Sequence, residues 1–328
     1  MRMKNIRRYL GLTLLMFAVV AMSSCIKENL SEKSDKVDVT LSFNTRGAAE
    51  LPNEGIKTLR VLISNEADEV VYNFKSTYDD NEMSKTLQIM GMESGNWDFY
   101  VIINEASFGF SDTDFSAVTK ASDLLDKVVR NEGSVVYFPK SGAELSTGVP
   151  ASGYLENVSI SESNKNLTIN CTYAVAKIIL NVQNDSGTDF NVTGVSFGSF
   201  FQQGTFLFDK EGRLPGSLNG ISEGKFTGLN TAIPAGQKVE ALVGYLFETG
   251  STPLKSSFTL ALTSPEMPEL ANPQKITVNP TENYTPYTLP RGYKMQIDAV
   301  VNIGHQIKPN INVQVVSWDG KVMDVEFN

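Results

Sequence analysis

Over most of its length this chain alternates apolar and polar residues one by one, in short runs closed by Gly, Asn, Asp, Ser or Pro. A period of two places every second side chain on one face, which is the pattern of antiparallel sheets with one buried face. The runs are Thr58 to Ser64, Asp98 to Asn104, Lys177 to Val182, Val239 to Phe247, Phe258 to Thr263, Lys294 to Val301 and Ile311 to Trp318. The expectation is an all-β protein.

One stretch breaks the alternation. Between Asp114 and Arg130, Phe115, Val118, Leu125, Val128 and Val129 fall on one helical face, with Gly133 just beyond, so a helix covering one sheet is predicted there. The segment from Phe138 to Tyr154 carries Pro139, Gly142, Gly148, Pro150 and Gly153 and reads as a long loop, after which a strand or strand pair runs to Val182. The length allows two domains of roughly 150 residues each. The expected division is an N-terminal sandwich over residues 37–171 and a C-terminal sandwich over residues 172–328.

The first residues read as an export leader. Arg2, Lys4, Arg7 and Arg8 precede an apolar run from Tyr9 to Met22, and the run ends in Met22-Ser23-Ser24-Cys25. It is too short for a membrane span of about 20 apolar residues. The small residues before a cysteine resemble a lipobox, which predicts cleavage before Cys25 and a diacylglyceryl lipid on its thiol. Residues 25–36 are polar and mixed in charge, a tether between lipid and folded body. Formal charge is -9 with the leader's four basic residues included, so the body without them carries -13. Nucleic acid and anionic membrane are poor partners for such a body. Cys171 is then the one cysteine left, so no internal disulfide can form and a buried inert thiol is expected.

Catalytic chemistry lacks its materials. The single histidine, His305, sits in Asn302-Ile-Gly-His-Gln, a strand-end turn, which leaves nucleophilic triads no second site. Metal clusters of His and Cys are excluded by count. Of the acidic runs, Asp79-Asp80-Asn81-Glu82 lacks calcium-loop spacing and Asp112-Thr-Asp114 reads as a helix cap. Gly220-Ile-Ser-Glu-Gly224-Lys225-Phe226 is one residue short of a phosphate loop and lacks its Ser or Thr, so it reads as an ordinary loop. No catalytic residue, metal or cofactor is assigned. Trp97 and Trp318 are candidates for a sugar-stacking platform, though both lie in or beside strands, where core packing is the commoner role.

The two ends of the chain carry similar strands. Val37, Val39, Leu41 and Phe43 share one face, as do Met323, Val325 and Phe327, so each could fill the same kind of slot. Between the first strand and the next lies Asn44-Thr45-Arg46-Gly47-Ala48-Ala49-Glu50, small residues around one basic residue, a protease-accessible loop.

Taken in order, these features resemble the fimbrillin superfamily of Bacteroides and Porphyromonas relatives. The resemblance rests on the lipobox leader, the strand Val37 to Arg46, and the pair Leu59-Arg-Val-Leu-Ile63 and Trp97 to Glu105. It continues through Pro139-Lys-Ser-Gly142, the crossover strand Tyr173 to Leu180, and Val313-Gln-Val-Val-Ser-Trp318. The Pro139 loop departs from the usual form, which has methionine after the proline. The resemblance implies two transthyretin-like sandwiches and a lipoprotein precursor at the outer membrane and cell surface. It also implies assembly with other fimbrial subunits by donor-strand exchange, after a trypsin-like extracellular protease cuts between Arg46 and Gly47. The displaced strand would be Val37 to Phe43, and the donor would come from about Val313 to Phe327. Stalk and tip subunits, an anchor subunit, a tip adhesin with a host or glycan ligand, and a surface glycan-binding lipoprotein remain as alternatives.

Overall fold

The computed structural model describes residues 36–45, 53–130, 140–142, 145–202, 204–210, 213–215, 221–248, 257–277, 289–308 and 312–317. They form eighteen strands. In the first half these are β1 (Lys36–Thr45), β2 (Thr58–Ser64), β3 (Val70–Thr77), β4 (Ser84–Glu93), β5 (Gly95–Ile103), β6 (Val128–Arg130), β7 (Lys140–Ser141), β8 (Ala151–Ile160) and β9 (Asn166–Tyr173). In the second half come β10 (Ala176–Asn184), β11 (Phe190–Gln202), β12 (Gly204–Phe206), β13 (Ile221–Ile233), β14 (Lys238–Leu246), β15 (Ser257–Thr263), β16 (Gln274–Thr277), β17 (Tyr293–Val301) and β18 (Asn312–Ser317). The all-β expectation holds.

One sheet runs β3-β2-β5-β8-β9-β1-β4. β8 and β9 pair only at Ala151 with Tyr173 and Ser152 with Thr172, so the sheet has two arms joined at that narrow seam. Their inner faces share one core, in which Val61, Ile63, Phe99 and Val101 from one arm meet Val39, Leu41, Phe43 and Ile169 from the other. A second core lies between the sheets β18-β17-β10-β14-β7 and β13-β11-β15-β16. The first core draws on the chain up to Val175 and takes in Leu207, Phe208, Tyr245 and Phe247 from beyond it, while the second begins at Ala176.

The two bodies are braced against each other. β12 pairs with β6, and the next residues, Leu207 and Phe208, bury themselves in the first core. Phe208 meets the edges of Tyr100 and Tyr154 there. Glu54 of the first body accepts hydrogen bonds on Oε1 from Lys177 Nζ at 2.7 Å and Tyr245 OH at 3.0 Å. Both side chains of the Lys177–Glu54 pair are all but sealed from solvent, at 1% and 3% exposure. Arg291 likewise pairs with buried Glu248 and donates to Thr205 and to the Phe206 carbonyl.

Three local expectations are corrected. The stretch Asp114 to Arg130 is not one helix but two single turns, Thr113–Ser116 and Ser122–Leu125, followed by β6. Thr119 interrupts it, because its carbonyl accepts the Val70 N–H while Glu69 bridges to Lys120. Asp68 then caps the second turn through Ser122. β-branched residues at 118, 119, 128 and 129 further disfavour a continuous helix. Asp112 stands at the N-cap of the first turn without capping it, since its carboxylate is drawn to Arg60 and Lys75. Finally, Ile221 to Phe226 is not loop but the start of β13, where Phe226 is buried against Phe197.

Candidate functional site

The site of interest is the slot that holds β1. Its sequence, Lys36-Val-Asp-Val-Thr-Leu-Ser-Phe-Asn-Thr45, alternates strictly, and Val37, Val39, Leu41 and Phe43 are all buried at 1% exposure or less. The slot is two-sided. β4 pairs antiparallel along one edge, from Lys36 opposite Glu93 to Asn44 opposite Ser84. β9 pairs parallel along the other, from Thr40 opposite Asn166 to Thr45 opposite Cys171. Among the described residues β1 is the only strand partner of β4, so loss of β1 would leave both β4 and β9 with unpaired backbone groups. Four buried apolar side chains at about 1.5 to 3 kcal/mol each contribute roughly 6 to 12 kcal/mol before ordering entropy.

Two features fix β1 in register. At its start, Val37 faces Met92 but Val39 faces Ile89, so β4 carries one extra residue there, a bulge. Gly91 in that bulge has φ of 65°, left-handed backbone that glycine adopts without strain. Its N–H donates to Asp38 Oδ1 at 2.9 Å, which satisfies a group that the bulge takes out of the ladder. At the other end, Thr45 donates to the Met83 carbonyl through both its N–H at 3.0 Å and its hydroxyl at 3.2 Å. The Met83 sulfur lies 3.8 Å from both the Thr45 hydroxyl and the Tyr173 hydroxyl, and the latter donates to the Glu54 carbonyl at 2.9 Å. The C-terminal end of β1 therefore touches the junction between the two bodies.

Cys171 lies across from Thr45, fully buried, and burial pushes its thiol up to about 12. Gly153 stands on its other side, where an added Cβ would come 3.1 Å from the sulfur and 2.7 Å from the Asn170 carbonyl.

The structure thus brings together Val37, Val39, Leu41 and Phe43 of the predicted displaced strand. The predicted lipid site Cys25, cleavage residues Arg46 and Gly47, donor residues Met323, Val325 and Phe327, and Trp318 lie outside the described residues. Trp97 is buried, donates its indole N–H to the Glu93 carbonyl and packs on Tyr72, so it offers no stacking face to a sugar. His305 occupies a turn with φ of 54°, 3.8 Å from Glu269. Lys85 pairs with Asp80 and Glu82, and no cluster of metal-ligating side chains occurs among the described residues.

Sequence reasoning missed the Asp38–Gly91 contact and the buried Glu54–Lys177 pair. It also missed a network in which Arg60 and Lys75 both meet Glu105 and Asp112. The signal available for the first was a glycine inside an alternating strand run, Met90-Gly91-Met92, the usual mark of a bulge.

No model of a known protein family matches the chain, and no curated protein matches it significantly. Solved structures with the same fold do exist. A candidate cell-adhesion protein from Parabacteroides distasonis superposes with a TM-score of 0.58 at 14% identity, over 89% of this chain and 99% of that one. The tip fimbrial protein Mfa3 from Porphyromonas gingivalis gives 0.56 at 14% identity, over 86% and 100%. A fimbrilin, FimA, from the same species gives 0.52 at 12% identity, over 86% and 98%. The chain thus has the fold of fimbrial and cell-adhesion proteins along nearly the whole length of each.

Proposed function

From a fold shared with fimbrial and cell-adhesion proteins, we propose that this chain is a structural subunit, stalk or tip, of bacterial surface fimbriae. It is exported as a lipoprotein, held at the outer membrane through Cys25, and cut between Arg46 and Gly47 by a trypsin-like extracellular protease. The cut frees β1, and the tail of another subunit, through Met323, Val325 and Phe327, takes its slot. The halves on either side of about residues 171 to 176 act as the two domains of the subunit.

The observation that supports this reading best is the placement of β1. It is an internal strand with four buried side chains and ladders on both edges, and it ends one residue before the arginine. An extended segment entering such a groove recovers both ladders, at about 0.5 to 1.5 kcal/mol per hydrogen bond, together with the apolar burial. Because the slot lies near one end of the sequence and the donor at the other, the contact repeats head to tail and grows a polymer. The glycan-binding alternative is weakened by the burial of Trp97.

The test is limited digestion of the mature protein with a trypsin-like enzyme, followed by N-terminal sequencing and sizing. Gly47 should become the new N-terminus and oligomers should form. A chain cut cleanly at that bond that stays monomeric at fibre-forming concentrations would refute the proposal.

A further inference from the structure

The bulge at Gly91 gives the slot a reading point. An extra residue on β4 turns one backbone N–H toward the outer face of β1 near its start, and Asp38 answers it with a carboxylate oxygen at 2.9 Å. Whatever strand replaces β1 meets the same N–H, because Gly91 and its φ of 65° belong to β4 and stay behind. A replacement with no acceptor there leaves that donor to water or to nothing.

The tail of the chain carries the matching pattern. Val37-Asp38-Val39-Thr40-Leu41 and Met323-Asp324-Val325-Glu326-Phe327 both read apolar, Asp, Val, polar, apolar. Resting on the strand-exchange reading above, we infer that Asp324 of a second copy takes the place of Asp38 against Gly91 and sets the register of the inserted strand. Met323, Val325 and Phe327 then occupy the positions of Val37, Val39 and Leu41.

The rival register slides the tail two residues, so that Phe327 fills the place of Phe43. Both registers bury the same three apolar side chains, so their number does not choose between them, although the slide alone matches Phe327 to the buried place of Phe43. The slide loses the hydrogen bond to Gly91, putting Val322 in the place of Asp38. It also drives Lys321 into the position of Val37, which is 1% exposed, where an ammonium is costly. Both differences favour Asp324 over Gly91. A slip by one residue is excluded, since it would turn the apolar side chains outward.

Cross-linking tests the register directly. Glu326→Cys on one chain is combined with Gln88→Cys or Thr86→Cys on another, each in a Cys171→Ser background, and the mature chains are cut and assembled under oxidation. Thr40 lies opposite Gln88 and Ser42 opposite Thr86, so the inferred register joins position 326 to position 88. Joining to position 86 instead would overturn the register while leaving strand exchange intact. Fibres joined at neither position would overturn it together with the tail as donor. In parallel, Asp324→Ala should slow assembly about tenfold or more, the loss of one charge-assisted hydrogen bond, while Asp324→Asn keeps an acceptor and assembles well. Asp324→Ala assembling like the wild type would also overturn the inference.

Discussion

Cys171 offers a direct readout of whether the slot is open. On a chain beginning at Ile26 it is the only thiol, and with β1 in place it is fully buried with its pKa raised from 9.0 to about 12. Three units of depressed acidity cut the thiolate fraction at neutral pH roughly a thousandfold relative to an open thiol, and the thiolate is the reactive form. After cleavage behind Arg46, β1 is released in mild denaturant and separated, and reaction with a chromogenic thiol reagent is followed by absorbance after refolding. The intact chain should react slower than a free thiol by about three orders of magnitude. The strand-depleted chain should recover most of that rate, and a synthetic peptide of residues 36–45 should suppress it again. If mass spectrometry showed β1 gone while Cys171 stayed inert, the slot would be closing over rather than waiting, and the argument for an open acceptor would fail.

Other outcomes follow from single contacts. Phe43→Ala should lower the stability of the uncut chain by about 3 to 5 kcal/mol in urea unfolding; a change under about 1 kcal/mol would show that β1 adds little to the core. Lys177→Met leaves the buried Glu54 charge without its cation in the junction between the two bodies and should cost about 3 to 5 kcal/mol, much of it regained when Glu54→Leu is added; equal costs for the single and double variants would argue against the pairing. Glu266, held by the Asn191 side-chain amide and backbone N–H, has its pKa lowered to about 2. A depressed carboxyl stabilises fully above its unfolded value and loses that contribution as pH falls through its folded one, here between about 4.5 and 2. A carbon NMR titration should find the Glu266 midpoint near 2, moving back toward 4.5 in Asn191→Ala, and no movement in the variant would refute the assignment.

The sheets were legible because burial on one face writes itself into alternation. Thr58 to Ser64 was read to the residue, and the strands around Lys177, Val239, Phe258 and Lys294 within one or two residues at each end. The failures share a cause. At Asp114 to Arg130 the apolar spacing suits a helix, yet Thr119 bonds to Val70 and Val128 to Arg130 pair with β12, contacts made to residues far along the chain. Gly220 to Phe226 looked like loop because Gly, Ser and Glu are turn residues, yet β11 recruits residues 221 to 226 as a partner strand. The polar anchors Glu54, Lys177, Arg291 and Glu248 were invisible for the same reason, since nothing local marks a charge whose partner lies 123 residues away, as Glu54 does for Lys177. In the slot itself, the apolar face of β1 could be read in advance, whereas the bulge that keys it could not, because it depends on how β4 is laid against β1.

β9 and β10 are separated only by Ala174 and Val175, both buried. The strand that would grip an incoming neighbour on its parallel edge is thus almost continuous with one that lies beside β17, which in turn holds β18, the strand leading to the tail. In a fibre built this way, a pull on the tip travels lengthwise along this series of strands and strains many ladder bonds at once instead of peeling them one at a time. Such a filament resists flow and shear by the direction of its strands, without needing a covalent bond between its links.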